Sequence, residues 1–169
     1  MIPVFHTERL TLREPRIEDV PAFAAFLHSD RAKFVGGPGR TLFDSARAFG
    51  HMTGLWQLRG YGPHILCLKD GTVIGHGGPW FPYVWPEPEI GWCLWDGAHE
   101  GKGYVTEAMT RLRDWAIRDL RVASLVSYID PANAASRAVA ERLGGRIDPD
   151  AALPDSGYDA VVYRYGVAA

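Results

Sequence analysis

The chain lacks the residue patterns that mark disulfide-rich, metal-binding and redox proteins. Its 169 residues include only two cysteines, Cys67 and Cys93, which do not form a Cys-x-x-Cys pair. We therefore expect buried, reduced thiols rather than a disulfide framework. The six histidines lack metal-ligand spacing, since Gly103 stands where an H-E-x-x-H motif starting at His99 needs its second histidine. The sequence predicts no metal site.

The chain also lacks a strong net charge and long apolar runs. A net charge of −2 gives no reason to expect binding to nucleic acid or to an anionic membrane. No apolar stretch approaches membrane-spanning length, and the N-terminus has neither the basic start nor the apolar run of a signal peptide. With 22% charged and 47% hydrophobic residues, the composition predicts a cytoplasmic, globular, single domain over residues 1–169.

The strongest positive signal lies between Glu87 and Leu120. An apolar stretch, 89–95, is followed by a glycine-bearing turn at 100–104 and then by an amphipathic helix that we expect from about Thr106. This order favours an anion pocket, because the first N–H groups of a helix lack intrahelical partners and glycines let a phosphate approach the backbone. A phosphate-bearing ligand is the first hypothesis, and an ordinary turn before a core helix is the alternative.

Two familiar phosphate motifs do not fit this turn. A P-loop needs glycine where Asp96 stands and Ser or Thr where Gly103 stands. A dinucleotide-binding G-x-G-x-x-G would need glycine in place of Thr106. We therefore do not expect the anion to be bound as in a nucleotide hydrolase or a dehydrogenase.

The remaining pattern alternates strands with helices. The second half reads strand–helix–strand–helix–strand, which is typical of a mixed sheet with helices on both faces. The predicted strands are Thr7–Arg13, His64–Lys69, Thr72–Gly77, 89–95, Ser124–Ile129 and Tyr158–Tyr165. The other predicted helices are one capped by Asp19, one at about Leu42–Leu58 and one at Asn133–Leu143, which ends at Gly144-Gly145. A hairpin turn is predicted at Asp70-Gly71 and an irregular connection at Pro79–Pro88.

The turn segment resembles the GNAT superfamily of acyl-CoA-dependent N-acetyltransferases. The acyl-CoA motif of that family, Gln/Arg-x-x-Gly-x-Gly/Ala, aligns on Gly103 and covers Glu100 to Val105. Glu100 replaces the usual first residue of the motif, and Val105 replaces a small one. Segments over nearly the whole chain are similar to the ribosomal-protein-alanine acetyltransferase group within this superfamily, namely 7–13, 59–62, 101–108, 133–136 and 140–144.

The resemblance implies a fold, a co-substrate and the residues that hold it. The implied fold is α/β (α+β), a mixed, mostly antiparallel sheet of about six or seven strands that splays after the fourth strand, with helices on both faces. The implied co-substrate is acetyl-CoA. Its pyrophosphate would lie on the turn, its pantetheine along the free strand edge at 90–94, and the implied contacts are Ile90, Trp92, Leu94, Glu100, Gly101, Lys102, Gly103, Tyr104, Val105, Thr106, Asn133 and Ser136.

Acetyl transfer to an amine needs a base and a donor to the thioester carbonyl. We favour Glu89 as the base, because it begins the strand beside the expected thioester and a partly buried carboxyl can have a pKa near neutrality. A surface acid at the start of a strand is the alternative. The Trp92 amide is the expected donor. Weaker candidates for the base are Glu87, His64 and His76.

The departing thiolate lacks its usual acid. Many family members carry Tyr seven positions after Asn133, and here that position is Ala140. By resemblance Ser136 is the substitute, and Tyr128 is the other nearby hydroxyl. Asn133 is also placed to cap the helix that follows it.

The sequence thus predicts an acetyl-CoA-dependent N-acetyltransferase that works by direct transfer to an amine acceptor in a ternary complex. We expect a monomer or a homodimer. Three alternatives stay open: a non-catalytic acyl-CoA-binding module, an acyltransferase for a small molecule such as a polyamine, amino acid or antibiotic, and a protein-interaction domain without a ligand.

Overall fold

The computed structural model describes residues 2–155 and 159–166, which form one mixed sheet with helices on both faces. The strands are β1 Phe5–His6, β2 Leu10–Arg13, β3 His64–Leu68, β4 Val73–Trp80, β5 Glu89–Leu94, β6 Val126–Ile129, β7 Arg146–Ile147 and β8 Val161–Arg164. The helices are α1 Val20–His28, α2 Leu42–Arg59, α3 Tyr104–Arg118 and α4 Ala134–Arg142, with short 3-10 turns at Ile17–Asp19, Asp30–Phe34 and Gly97–His99.

The strand order is β1-β2-β3-β4-β5-β6-β8-β7. Neighbouring strands are antiparallel except β5 and β6, which are parallel. A parallel pair needs a crossover connection, and α3 supplies it. The expected fold class is confirmed. The described residues contain eight strands rather than six or seven, because the two-residue strands β1 and β7 are too short to show a sequence period.

Alternate residues of the sheet feed two cores, one on each face. Leu66 packs with α3 residues such as Met109 and Leu112. Its neighbours Ile65 and Cys67 point to the other face and pack with α1 and α2. The period-two alternation of strand side chains therefore places α3 on one side of the sheet and α1 with α2 on the other.

Several predicted boundaries are wrong for identifiable physical reasons. The first predicted strand starts at Leu10 instead of Thr7, because residues 7–9 turn to bind Glu107. Asp19 precedes α1 but does not cap it, since its carboxylate accepts hydrogen bonds from Arg13 instead.

Three further differences concern residues from 79 onward. Pro79 and Trp80 belong to β4, opposite Ile90 and Glu89, instead of the expected irregular connection. Helix α3 begins at Tyr104, two residues earlier than expected. Tyr158, where the last strand was predicted to start, lies outside the described residues.

The strands β5 and β6 diverge after a single pair. Glu89 is opposite Val126, and this is the only residue pair in their described register. One residue further along, the Ser127 hydroxyl donates to the Ile90 carbonyl at 2.6 Å, and the Tyr165 hydroxyl lies 3.0 Å from the same serine oxygen. A buried side chain therefore replaces the backbone ladder at the point of divergence.

We predict that Ser127→Ala lowers the free energy of unfolding by about 1–3 kcal/mol, because it leaves the Ile90 carbonyl and the Tyr165 hydroxyl buried without this partner. Urea unfolding of the wild type, Ser127→Ala, Tyr165→Phe and the double variant measures the coupling between the two side chains. Purely additive losses in that cycle would contradict a shared network.

Candidate active site

The divergence of β5 and β6 opens a cavity of about 800 Å³. Its walls come from β5, from β6 with the start of α4, and from α1 with the loop that follows it. Five of the predicted site residues on β5 and at the start of α4 line it: Glu89, Ile90, Trp92, Asn133 and Ser136. Leu94, at the end of β5, does not line it. Tyr128 also lines the cavity.

The backbone of β5 presents alternate residues to the gap. A Cβ at Gly75 or Gly77 on β4 would meet the carbonyl of Cys93 or Gly91, so those carbonyls face β4. In a strand, adjacent residues point their backbone groups in opposite directions. The polar backbone groups of 90, 92 and 94 therefore face the gap.

Two of the three backbone carbonyls at 90, 92 and 94 already accept hydrogen bonds from side chains. Ser127 donates to that of Ile90, and Arg31 donates to that of Leu94 at 3.2 Å. Trp92 lies between them, beside the cavity. No side chain of the described residues binds the Trp92 carbonyl in the same way, so the backbone of Trp92 borders the cavity without such a contact.

Glu89 lies at the vertex where the two strands separate. Its carboxylate accepts a hydrogen bond from Trp85 Nε1 at 2.7 Å and another from the backbone of Tyr128. Burial raises the pKa of Glu89 to about 7, although both hydrogen bonds favour the ionised form and oppose this rise. A carboxyl with a pKa near neutrality can take and release protons at physiological pH.

The other candidates for the base have unsuitable surroundings. His64 is buried among Phe5, Trp56 and Trp115 and does not line the cavity. Burial lowers its pKa to about 4. Glu87 forms an ion pair with Arg164, and the hydrogen bonds from that guanidinium lower the pKa of the carboxyl.

His76 and Cys93 line the cavity but are held in their neutral forms. The Trp95 indole donates to His76 Nδ1 at 2.8 Å, and burial lowers the pKa of His76 to about 4. Burial raises the pKa of the Cys93 thiol to about 12. Neither group is therefore suited to act as base or nucleophile near neutral pH.

The glycine turn lies beyond the end of β5 and runs directly into α3. Gly101 and Gly103 have φ values of 70° and 78°, which favour glycine. Gly103 is the N-cap of α3 and offers no side chain to its first amides. The backbone N–H groups at the start of α3, from Tyr104 onward, thus remain available to an anion. Val105 is buried in the core, so its larger side chain points away from this surface.

A long-range contact fixes this turn. Glu107 accepts from the Thr7 hydroxyl at 2.6 Å and from Arg9 Nε at 2.7 Å. Arg9 Nη1 also donates to the Lys102 carbonyl at 2.8 Å. The segment before β2 therefore holds both the turn and the first turn of α3, a role that the sequence did not reveal.

A second arginine neutralises the unexpected acid at the start of the motif. Arg31 Nη2 lies 2.7 Å from Glu100 Oε1, and the same nitrogen binds the Leu94 carbonyl. Arg31 Nε is buried without a hydrogen-bond partner among the described residues. The guanidinium thus joins the turn to the end of β5. Sequence reasoning missed it because it lies 69 positions from Glu100.

The start of α4 closes the other wall. Asn133 Oδ1 accepts from the Ser136 backbone N–H at 3.2 Å, which confirms its predicted capping role. Ala140 is fully buried against Ile129 and Tyr163, so a larger residue there would have no space. Ser127, Tyr128 and Ser136 carry the hydroxyls that line the cavity on this side, and that of Ser127 is already engaged by the Ile90 carbonyl.

The residues that the structure describes contain neither a metal-binding cluster nor a membrane-spanning helix. No cluster of three or more His, Cys, Asp or Glu side chains in this part of the chain could hold a metal ion. None of its helices combines the length and the apolar character needed to cross a bilayer.

Comparisons with known proteins match this architecture. The family described as "Acetyltransferase (GNAT) domain" matches residues 9–146. An acetyltransferase structure from Agrobacterium tumefaciens is 44% identical, with 98% of this chain and 95% of that chain covered and a TM-score of 0.91. A GNAT-family acetyltransferase from Bacillus anthracis (20% identity, 96% of each chain, TM-score 0.76) and RimL, a ribosomal L7/L12 α-N-protein acetyltransferase in complex with coenzyme A (20%, 96% of each chain, TM-score 0.74), share the fold.

We predict that Glu89 makes the folded protein less stable as the pH rises. The unfolded chain releases this proton near pH 4.5, whereas the folded protein keeps it until about pH 7. The folded state binds more protons in this window, so the stability that the proton confers is complete below pH 4.5 and lost through pH 7. The wild type should lose up to about 3 kcal/mol relative to Glu89→Gln over this range.

Urea unfolding at several pH values measures this difference. Glu87→Gln is the matched control, because the lowered pKa of Glu87 gives a stability contribution that is lost toward low pH. A wild type and a Glu89→Gln variant with parallel pH dependences would show that the pKa of Glu89 is ordinary.

Proposed function

This chain belongs to the GNAT acetyltransferase family and is an acetyl-CoA-dependent N-acetyltransferase, and we propose that it transfers the acetyl group directly to a primary amine within a ternary complex. The observation that carries the proposal is the divergence of β5 from β6. It brings a carboxyl with a raised pKa, Glu89, and the backbone N–H of Trp92 to one cavity.

The proposed co-substrate site extends from the turn to the cavity. The amides of 101–106 would hold the CoA pyrophosphate, and the gap-facing backbone of Trp92 would hold the pantetheine arm and its thioester. RimL, which shares this fold, has been solved in complex with coenzyme A. The geometry supports the same use here, because the turn offers helix N-terminal amides without a side-chain cap. We propose no metal requirement and, from composition alone, a cytoplasmic location.

The proposed chemistry divides into proton removal and acyl transfer. Glu89 takes a proton from the ammonium of the acceptor, directly or through a water molecule, and leaves a neutral amine. That amine forms the new C–N bond at the thioester carbon. The Trp92 N–H donates to the carbonyl oxygen as negative charge develops on it. The C–S bond then breaks with its electron pair on sulfur.

The thiolate then takes a proton from a hydroxyl, and the second proton that the attacking nitrogen loses as the amide forms restores that hydroxyl. Ser136 and Tyr128 both line the cavity and are the proposed donors. A thiol has an ordinary pKa near 8.5, so the thiolate leaves without much help and the donor has a modest effect. Direct transfer is favoured over an acyl-enzyme, because the raised pKa of Cys93 makes it a poor nucleophile.

The surroundings of Glu89 also help to distinguish an enzyme from a non-catalytic binding module. A non-catalytic acyl-CoA-binding module would need the turn but not a carboxyl with a pKa near 7 at the vertex of the strands. The pKa of Glu89 therefore favours turnover. An acceptor such as a polyamine, an amino acid, an antibiotic or a protein N-terminus is compatible with the chemistry proposed so far.

We predict that Glu89→Gln lowers kcat by roughly 10²–10⁴-fold, because the amide cannot accept the proton. Thiol release measured with a colorimetric reagent gives kcat, and calorimetry should give an unchanged Kd for acetyl-CoA. A variant with wild-type turnover and the same acidic limb of the pH–rate profile would make Glu89 a structural acid.

We also predict that Trp85→Phe shifts the acidic limb of the kcat/KM profile to higher pH by about one unit. The indole N–H stabilises the ionised carboxyl of Glu89, and losing that bond raises the pKa of the carboxyl further. An unmoved limb in a correctly folded variant would remove Glu89 from the proton transfer.

The turn gives a further prediction about binding. Glu100→Gln removes a negative charge beside the proposed pyrophosphate site and frees Arg31 from its ion pair. The affinity for acetyl-CoA should therefore rise by about two- to fivefold. The effect is small because the ion pair is exposed to solvent. Arg31→Gln should weaken binding. Calorimetry at low salt checks both, with Glu18→Gln as an exposed acid elsewhere. Equal changes for Glu100→Gln and Glu18→Gln would place the pyrophosphate elsewhere.

A further inference from the structure

The lining of the cavity combines aromatic side chains with cations. Phe23, Phe26, Phe34, Trp80 and Trp85 supply large apolar surfaces. Lys33 and Arg40, on the loop between α1 and α2, line the same cavity. A site of this kind fits a ligand with an apolar body and an anionic group.

The loop holds the Arg40 guanidinium at the cavity. Its Nη2 donates to the Gly36 carbonyl at 3.2 Å. Gly36 has a φ of 95°, and a Cβ at this position would collide with the same nitrogen. Only glycine therefore permits both the backbone conformation and the packing of the guanidinium against it.

Arg40 lacks an acidic partner in the part of the chain that the structure describes. It appears in none of the ion pairs there, and its Nε is buried without a hydrogen-bond acceptor. The two acidic side chains that line the cavity accept hydrogen bonds from other groups. Glu89 is bound to Trp85, and Asp130 accepts from the Ala132 N–H. The guanidinium charge therefore lies unpaired beside the cavity, and a bound anion would neutralise it.

We propose that Arg40 binds a carboxylate of the acceptor, so that the substrate is a small amine that carries a carboxylate and an apolar, aromatic-sized body. An amino acid with an apolar side chain has this chemistry. The inference rests on the proposed function and narrows it. A polyamine lacks the anion and would place cations beside Lys33 and Arg40. A protein N-terminus lacks a carboxylate on the residue that carries its amine.

Matched amines test this specificity. Thiol release is measured with phenylalanine, phenylalaninamide, phenethylamine, spermidine and a peptide amide that begins with alanine. The wild type should show a kcat/KM for phenylalanine at least about tenfold above the values for the other four, because charge-assisted pairing with a guanidinium is strong. Arg40→Gln should remove that preference and leave the Kd for acetyl-CoA unchanged.

Three further variants separate recognition from loss of structure. Gly36→Ala should push the guanidinium away and remove the preference in the same way. Arg47→Gln is the control, since it removes the same charge from an exposed position on α2 that does not line the cavity. Arg40→Lys should recover only part of the preference, because an ammonium lacks the planar fork of donors.

A binding measurement keeps the inference independent of turnover. Calorimetry on the CoA-loaded protein compares 3-phenylpropionate with 3-phenylpropanol, which differ in the anionic group. Tighter binding of the acid than of the alcohol in the wild type, lost in Arg40→Gln, supports the inference whether or not any amine in the panel is acetylated. A panel in which no amine is acetylated would contradict the proposed function instead. Equal binding of acid and alcohol, a faster reaction with the peptide or spermidine, or weaker acetyl-CoA binding in Arg40→Gln would overturn the inference.

Discussion

The whole site depends on the failure of β5 and β6 to pair beyond Glu89 and Val126. Continued pairing would close the gap and occupy the Trp92 backbone. The Ser127 hydroxyl instead binds the Ile90 carbonyl, so the backbone group nearest the divergence is satisfied without drawing the strands together. The same vertex buries Glu89, and burial is the first cause of its raised pKa. One break in the sheet thus produces the cavity, the proposed base and the proposed donor.

Contacts between distant segments fix the two ends of this site. Thr7 and Arg9 bind Glu107, and Arg9 also binds the Lys102 carbonyl, so the turn is held by the segment between β1 and β2. Arg31 links the turn to the last carbonyl of β5. These arginines explain how a turn with two glycines keeps a defined conformation, and how an acid at position 100 is tolerated in it.

Much of the fold follows from the sequence because the signals are local. The hydrophobic period of α3, the cap at Asn133 and the strand beginning at Glu89 each lie within a few residues. The sequence could not reveal the pairs Arg9–Glu107 and Arg31–Glu100, whose members lie 98 and 69 positions apart. The indole of Trp85 lies only four positions from Glu89, yet its direction depends on the path of a proline-rich connection. The prolines between 79 and 88 predict an irregular connection, yet Pro79 lies in β4 and pairs with Ile90 of β5.

A crystal structure with bound acetyl-CoA tests the central claim most directly. The account predicts the thioester oxygen within about 3 Å of the Trp92 backbone nitrogen, a hydrogen-bond distance, the pyrophosphate on the amides of 101–106, and the Glu89 carboxyl facing the space beside the thioester. Acetyl-CoA bound outside the gap between β5 and β6, or with its thioester turned away from Trp92, would contradict it.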